Sequence, residues 1–348
     1  MNEFKSERSR TVILTGIGGF IGAHCLEYFL KNTDWQIIGI DSFRHKGTYL
    51  RINEVVDSIS DWSKRVSIYN HDLSVPIDSQ LQFLITHQKI DVIINMASDS
   101  AVERSLTYPH LCIKNNCDLI VNVLEMARIA NPDIFIQIST DEVYGEAQVG
   151  TSHKEWDVIL PSNPYAASKA AQEAIAISYW RTFGTPVVIT NCMNIIGERQ
   201  DPEKFLPKLI QKIDQGQEMP IYGDNEQSIG SRFYLHALNK ASALVFIANH
   251  RPAKFPDSDR PDRYNISDNS DGAKEIDNLQ MAKLIASIMG KELKYKLVPS
   301  ESARRGYDKR YALDGSKLIN LGWKPPIAFR ESLERIVKWT LENKHWMV

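Results

Sequence analysis

Apolar residues in the first two hundred positions follow two alternating rhythms. The run Thr11 to Thr15 (TVILT) is short and β-branched, whereas from Phe20 to Leu30 apolar positions recur at helical spacing, at Ile21, Cys25, Leu26 and Phe29. A second strand-like run, Gln36 to Ile40, is closed by Asp41. Strand, helix and strand within about 30 residues is the pattern of a βαβ unit. Strand-like runs return at Val66 to Tyr69, Asp91 to Met96, Ile134 to Ser139 and Pro186 to Asn191, with helical spacing at Ser79 to Gln88, Leu111 to Ala130 and Tyr165 to Phe183. Near-continuous apolar strands alternating with helices predict a doubly wound α/β fold, its parallel sheet covered on both faces. The alternation fades after Gly197, giving way to a helix (Lys204 to Gln215), a Gly/Asn/Asp loop (Gly223 to Gly230), a polar segment (Pro252 to Asp262) and two terminal helices. The predicted division is a doubly wound domain over 1–196 and a smaller C-terminal α/β lobe over 197–348, some segments of which return to the first domain.

Composition narrows the classes. The 348 residues are 43% hydrophobic and 24% charged, enough apolar material for about two domains of roughly 150 residues each. Basic and acidic residues number 41 and 43, a net charge of −2, with no long single-sign run, which argues against partners held by bulk charge such as nucleic acid or a membrane surface. The longest uncharged apolar stretch, Ala241 to Ala248, falls far short of the roughly 20 residues that span a bilayer. Glu3, Lys5, Glu7, Arg8 and Arg10 are followed by no apolar segment of the secretory type. Cys25, Cys112, Cys117 and Cys192 match neither a disulfide framework nor a metal or redox pair, and read as reduced thiols of a cytoplasmic protein without a metal.

Between the first strand and the first helix stands TGIGGFIG, with Gly16, Gly19 and Gly22 at GxxGxxG spacing. Glycines there permit a tight turn and bring backbone N–H groups up to a pyrophosphate at the positive end of the helix. Strand before, helix after, and Asp41 at the end of the second strand together identify a Rossmann-like dinucleotide site. Asp41 is placed to accept from both adenosine ribose hydroxyls and to repel a 2′-phosphate, which favours NAD over NADP; the neighbouring Arg44, His45 and Lys46 could serve a phosphate instead. Asp72 and Leu73 fall where an adenine ring could be held.

Tyr165 and Lys169 (YAASK) lie four residues apart and so on one face of a helix. A phenol with an ordinary pKa near 10 is a poor base at neutral pH, and an ammonium one turn away stabilises its phenolate. With Ser139 and Thr140 at the end of the fifth strand, the pair resembles the Ser/Thr-Tyr-Lys set of extended short-chain dehydrogenase/reductases, over nearly the whole chain. The string STDEVYG (139–145) is similar to the signature of the nucleoside-diphosphate-hexose 4,6-dehydratases. That resemblance implies that Glu142 is the base at C5, Asp141 the acid at O6, and Thr140 a hydrogen-bond partner of the sugar O4 beside Tyr165. Two carboxyls in differently polar surroundings can hold opposite protonation states at one pH, as such an elimination requires.

The segments 163–173, 190–210, 219–227 and 304–325 also resemble dehydratase stretches. The resemblance adds Phe20, Ile21 and Ala97 to the cofactor-binding positions, and names Ser98, Asn194, Lys204, Arg232 and Tyr307 for a nucleotide-sugar. It further implies a homodimer formed through the helices of 111–130 and 165–183. Departures fall on sugar and nucleotide recognition. NMASDSAVERS (95–105) has Asn95, Asp99 and Ala101 where His, Glu and His are usual, SIGSRFYLHA (228–237) replaces an Arg-Asp-Trp string, and Tyr307 stands where His is frequent. The expected activity is NAD-dependent dehydration of an NDP-hexose, dTDP-glucose first and UDP-glucose next. A 4-epimerase, a UDP-glucuronate decarboxylase, and a non-catalytic NAD-sensing regulator stay open as alternatives. The adjacent acid pair disfavours the first two; retention of Tyr165, Lys169 and both acids disfavours the third.

Overall fold

The computed structural model describes residues 9–44, 47–268, 275–299, 306 and 308–347. Elements run β1 (Thr11–Thr15), α1 (Phe20–Asn32), β2 (Gln36–Asp41), α2 (Tyr49–Val56), β3 (Val66–Asn70), α3 (Ser79–His87), β4 (Val92–Asn95), α4 (Val102–Thr107), α5 (Pro109–Ala130), β5 (Ile134–Ile138), α6 (Pro164–Phe183) and β6 (Val187–Cys192). Then follow β7 (Asn194–Ile196), α7 (Phe205–Asp214), β8 (Met219–Tyr222), β9 (Ser231–Arg232), β10 (Tyr234–His236), α8 (Ala237–Ala248), β11 (Asp262–Ile266), β12 (Ile276–Asp277), α9 (Asn278–Met289), β13 (Tyr295–Val298), α10 (Ser316–Asn320) and α11 (Phe329–Glu342).

Seven strands form the main sheet in the order β11-β6-β5-β4-β1-β2-β3. The pairs from β6 through β3 are parallel. Strand order reverses between β1 and β4, and in such sheets ligands sit beyond the carboxyl ends of the strands at that reversal. Side chains alternate across the sheet with period 2. Ile13, Ile93, Phe135, Val187 and Ile189 therefore share one face, and they pack in one core with Leu119, Ile120, Val123 and Leu124 of α5 and Trp180 of α6.

Contacts divide the chain into two compact units, one of residues 1–139, 164–191 and 241–264, the other of residues 140–163, 192–240 and 265–348. The first holds the parallel sheet. The second is built on three two-stranded pairings, β10 with β7, β12 with β9 and β13 with β8. Its core gathers Leu206, Leu209 and Ile210 of α7, Met281 and Ile285 of α9, and Leu333 and Ile336 of α11. Segment 140–163, immediately after β5, thus lies with the second unit, and 241–264 with the first. None of the four cysteines is in a disulfide. Among the described residues no helix is long and apolar enough to cross a membrane.

Candidate active site

In the first unit the glycine turn is shaped by close approaches that side chains would block. Gly16 has φ +71°, and a Cβ on it would lie 3.0 Å from the Ala97 backbone. A Cβ on Gly22 would fall 2.1 Å from the Gly16 carbonyl oxygen, so α1 leaves the turn at a distance only glycine allows. Gly19 is the N-cap residue of α1, with no side-chain cap, leaving bare backbone at the positive end of the helix. Phe20 and Ile21, in the first turn, are half-buried. Asp41 ends β2, where its two carboxylate oxygens accept from the backbone N–H of Gly18 and of Phe43, each at 2.9 Å. A carboxylate has about four acceptor sites, so the ribose role expected for Asp41 draws on the other two.

Asp72 accepts from the Arg44 guanidinium at 2.8 Å and from the Ser74 hydroxyl at 2.8 Å. Leu73 is 3% exposed and sits within the core beside α5, so its side chain serves packing. Ser98 is half-buried, and its hydroxyl is buried without a partner, a polar group of the kind that a ligand completes. Tyr165 and Lys169 lie in α6, Tyr165 half-buried and Lys169 buried, with the Lys169 ammonium donating to Gln172 Oε1 at 2.6 Å.

The second unit carries the acid pair on a one-turn 3₁₀ helix, Asp141–Tyr144. Thr140 caps it, its hydroxyl accepting from Glu142 N at 3.3 Å and donating to Asp141 Oδ1 at 3.0 Å. In this arrangement Thr140 holds the acid turn. The two acids differ sharply. Asp141 is buried, and burial, together with the Glu142 charge beside it, pushes its carboxyl up to about 7. Glu142 is half-buried, and its Oε2 accepts from Asn163 Nδ2 at 3.0 Å. Tyr311 is buried in the same unit. Its phenol is pushed well above the usual tyrosine range by burial and then by the charges of Glu142, Asp308 and Asp141.

Arg232 is 7% exposed, and its guanidinium donates to the carbonyls of Ser231, Lys309 and Asp308 at 2.6–2.7 Å while lying 4.6 Å from the centre of the Tyr311 ring. It clamps the chain at 308–309, a use of its donors that sequence reading did not foresee. Asn194 opens β7, and its Nδ2 is buried without a partner. Lys204 is the N-cap residue of α7. Tyr307 lies outside the described residues. Asn163 and Tyr311 were missed as neighbours of the acid pair, and Asp308 as a neighbour of Tyr311. The first sits two residues before Tyr165 and the others in the 304–325 stretch, but nothing in their spacing points at Glu142.

Residues 13–336 match the profile of the GDP-mannose 4,6 dehydratase family. The chain is 32% identical over 331 residues to a low-salt glycan biosynthesis protein of Haloferax volcanii, covering 95% of this chain and 98% of that one. It is 31% identical to dTDP-glucose 4,6-dehydratase 1 of Escherichia coli K12, covering 97% and 94% of the two chains. Among solved structures, a dTDP-glucose 4,6-dehydratase of Streptomyces venezuelae with NAD bound superposes with a TM-score of 0.82 at 28% identity, covering 97% of this chain and 98% of that one. A UDP-glucuronic acid 4-epimerase of Bacillus cereus, at 23% identity and a TM-score of 0.82 over 96% and 99% of the chains, shares the fold. A glycine turn opening α1, a YxxxK helix and a Thr-Asp-Glu turn are thus carried on a chain matched nearly end to end, and this chain belongs to the extended short-chain dehydrogenase/reductase family of nucleotide-sugar 4,6-dehydratases.

Proposed function

We propose that this chain binds NAD and dehydrates a nucleoside-diphosphate hexose, dTDP-glucose first and UDP-glucose next, to the NDP-4-keto-6-deoxyhexose. The observation that carries this reading is the inequality of the two neighbouring acids: Asp141 is buried and pushed up to about 7, while Glu142 is half-buried and held by Asn163. Eliminating water across C5–C6 needs one carboxyl protonated and one ionised at the same pH. A 4-epimerase has no such need.

The first unit fits the cofactor. The glycine turn presents backbone rather than side chains at the start of α1, and Asp41 places an acid where a 2′-phosphate would be repelled. Gly16, Gly19, Phe20, Ile21, Gly22, Asp41, Asp72, Leu73 and Ala97 form the proposed cradle, Leu73 through its backbone. When bound, NAD supplies the acceptor for the C4 hydride and the donor that reduces C6. Tyr165 takes the O4 proton, its phenolate favoured by the Lys169 ammonium one turn on. With C4 a ketone, Glu142 removes the acidified C5 proton and Asp141 gives its proton to the departing O6. Thr140 orients Asp141 through the bond between them. Ser98, Asn194 and Lys204 are the proposed substrate contacts, with Arg232 acting through the chain it clamps.

Single-turnover reactions in deuterated water test the assignment. Glu142→Gln should form enzyme-bound NADH without losing water. Asp141→Asn should also form NADH and in addition exchange the C5 hydrogen, because its base survives. Loss of either group should slow product formation by about 10²–10⁴-fold. Product at the wild-type rate from both variants, or a wild-type product of unchanged mass, defeats the dehydratase reading; the second outcome is what an epimerase would give.

A further inference from the structure

At the carboxyl ends of three neighbouring strands of the first unit, apolar sequence gives way to one polar residue each: Thr15 in β1, Asn95 in β4 and Gln137 in β5. The parallel register sets Thr15 opposite Asn95 and Asn95 opposite Gln137. All three follow, by two residues, the core positions Ile13, Ile93 and Phe135, so they lie on the sheet face covered by α5 and α6. They are 0% exposed.

Hydrogen bonds run through them in one direction. Thr15 Oγ1 donates to Asn95 Oδ1 at 2.7 Å, Asn95 Nδ2 to Gln137 Oε1 at 2.8 Å, and Gln137 Nε2 to Gln172 Oε1 at 3.1 Å. Gln172, on α6 and also 0% exposed, donates its own Nε2 to the backbone carbonyl of Asn116 at 2.9 Å. That carbonyl can only accept, which fixes the amide orientation and turns Oε1 toward the Lys169 ammonium, 2.6 Å away. Flipping Gln172 would set an N–H group against both an ammonium and the Gln137 N–H group.

We infer that Gln172 is a positioning residue: its amide oxygen, aimed by the side-chain ladder of Thr15, Asn95 and Gln137, holds the Lys169 ammonium in place for Tyr165 and for the nicotinamide ribose. The inference rests on the proposed function for its role beside Tyr165, though not for the ladder itself. At its far end Thr15 Oγ1 accepts from the backbone N–H groups of Met96 and Ala97, so one chain of bonds joins the strand end beside the glycine turn to the catalytic lysine. Cooperative chains of this kind rigidify the groups they end on.

Two substitutions separate positioning from packing. Gln172→Met keeps the volume and removes the acceptor. Gln172→Glu keeps an acceptor for Lys169 but buries a charge and loses the bond to Asn116. If Gln172 positions Lys169, Gln172→Met should slow formation of enzyme-bound NADH by roughly 10- to 100-fold with half-saturation by the sugar nucleotide unchanged, while Gln172→Glu recovers most of that rate. A packing residue gives the reverse order, Met near wild type and Glu slower, and that result overturns the inference. If no nucleotide-sugar reduces the NAD of the wild-type protein, the proposed function fails and the release rate of NAD decides instead. Faster release from Gln172→Met than from wild type and Gln172→Glu upholds the inference. Equal release from all three ends it.

Discussion

Asp141 and Glu142 are adjacent in sequence, yet one is buried and the other half-buried, and that difference sets an expectation beyond catalysis. Asp141 has an ordinary value of 3.8 and a folded value of about 7. Its proton is bound more tightly in the folded state, so stability from this group is complete below about 4 and declines as pH rises toward 7, levelling above it. At 1.36 kcal/mol per unit the cost of ionising it is on the order of 4 kcal/mol. Asp141→Asn, which cannot ionise, should therefore be markedly more stable than wild type near pH 8 and about equal to it near pH 4. Urea midpoints at the two values check this; an equal difference at both would mean that Asp141 is not the group titrating. Because the proposed elimination draws its proton from Asp141, dehydration should also fall as pH rises through about 7.

Among the elements, α6 carries both Tyr165 and Lys169, and a buried ion pair joins it to β11. Glu173 and Arg263 are 0% and 1% exposed and meet at 2.7 Å, and Asn191 Nδ2 at the end of β6 donates to Glu173 Oε1 at 2.8 Å. Removing one partner of such a pair leaves a buried charge and costs about 3–5 kcal/mol, whereas replacing both with apolar residues is often nearly neutral. Arg263→Met should thus strongly destabilise the first unit, and Arg263→Met with Glu173→Leu should recover much of the loss. Chemical denaturation of the single and double variants measures it. If the double variant is no better than the single, the pair acts through its hydrogen bonds to neighbours rather than as an isolated charge pair.

For the whole molecule, α5 exposes Leu111, Ile113, Val121 and Ile129, each at least 38% accessible. So many large apolar side chains on one helix suit a surface that a second copy covers. The expected assembly is a homodimer, and sedimentation should give about twice the 39.6 kDa chain mass, reduced to one chain by Val121→Asp with Ile129→Asp. A monomeric wild type would rule this out. Asp41 at the end of β2 carries the cofactor expectation: the purified protein should release NAD rather than NADP, as mass spectrometry of the released nucleotide will read.

Local physics wrote much of the first unit into the sequence. β1 lies at Thr11–Thr15 as its apolar run predicts, and α1, α5, α6 and β2 through β6 fall within a few residues of their predicted bounds, because strongly periodic segments buried on a defined face announce themselves. Short elements did not: β9 and β12 have two residues each, and pairings such as β13 with β8 join segments some 70 residues apart that neither segment encodes alone. The acid pair, the glycine turn and the YxxxK helix were legible as residue types at fixed spacing. Their environments were not. That Asp141 is buried while its neighbour is half-buried, that Arg232 donates to the carbonyls of 308 and 309, and that Gln172 turns an oxygen toward Lys169 all depend on residues distant in the chain, since burial and hydrogen-bond partners exist only once the chain has folded around them.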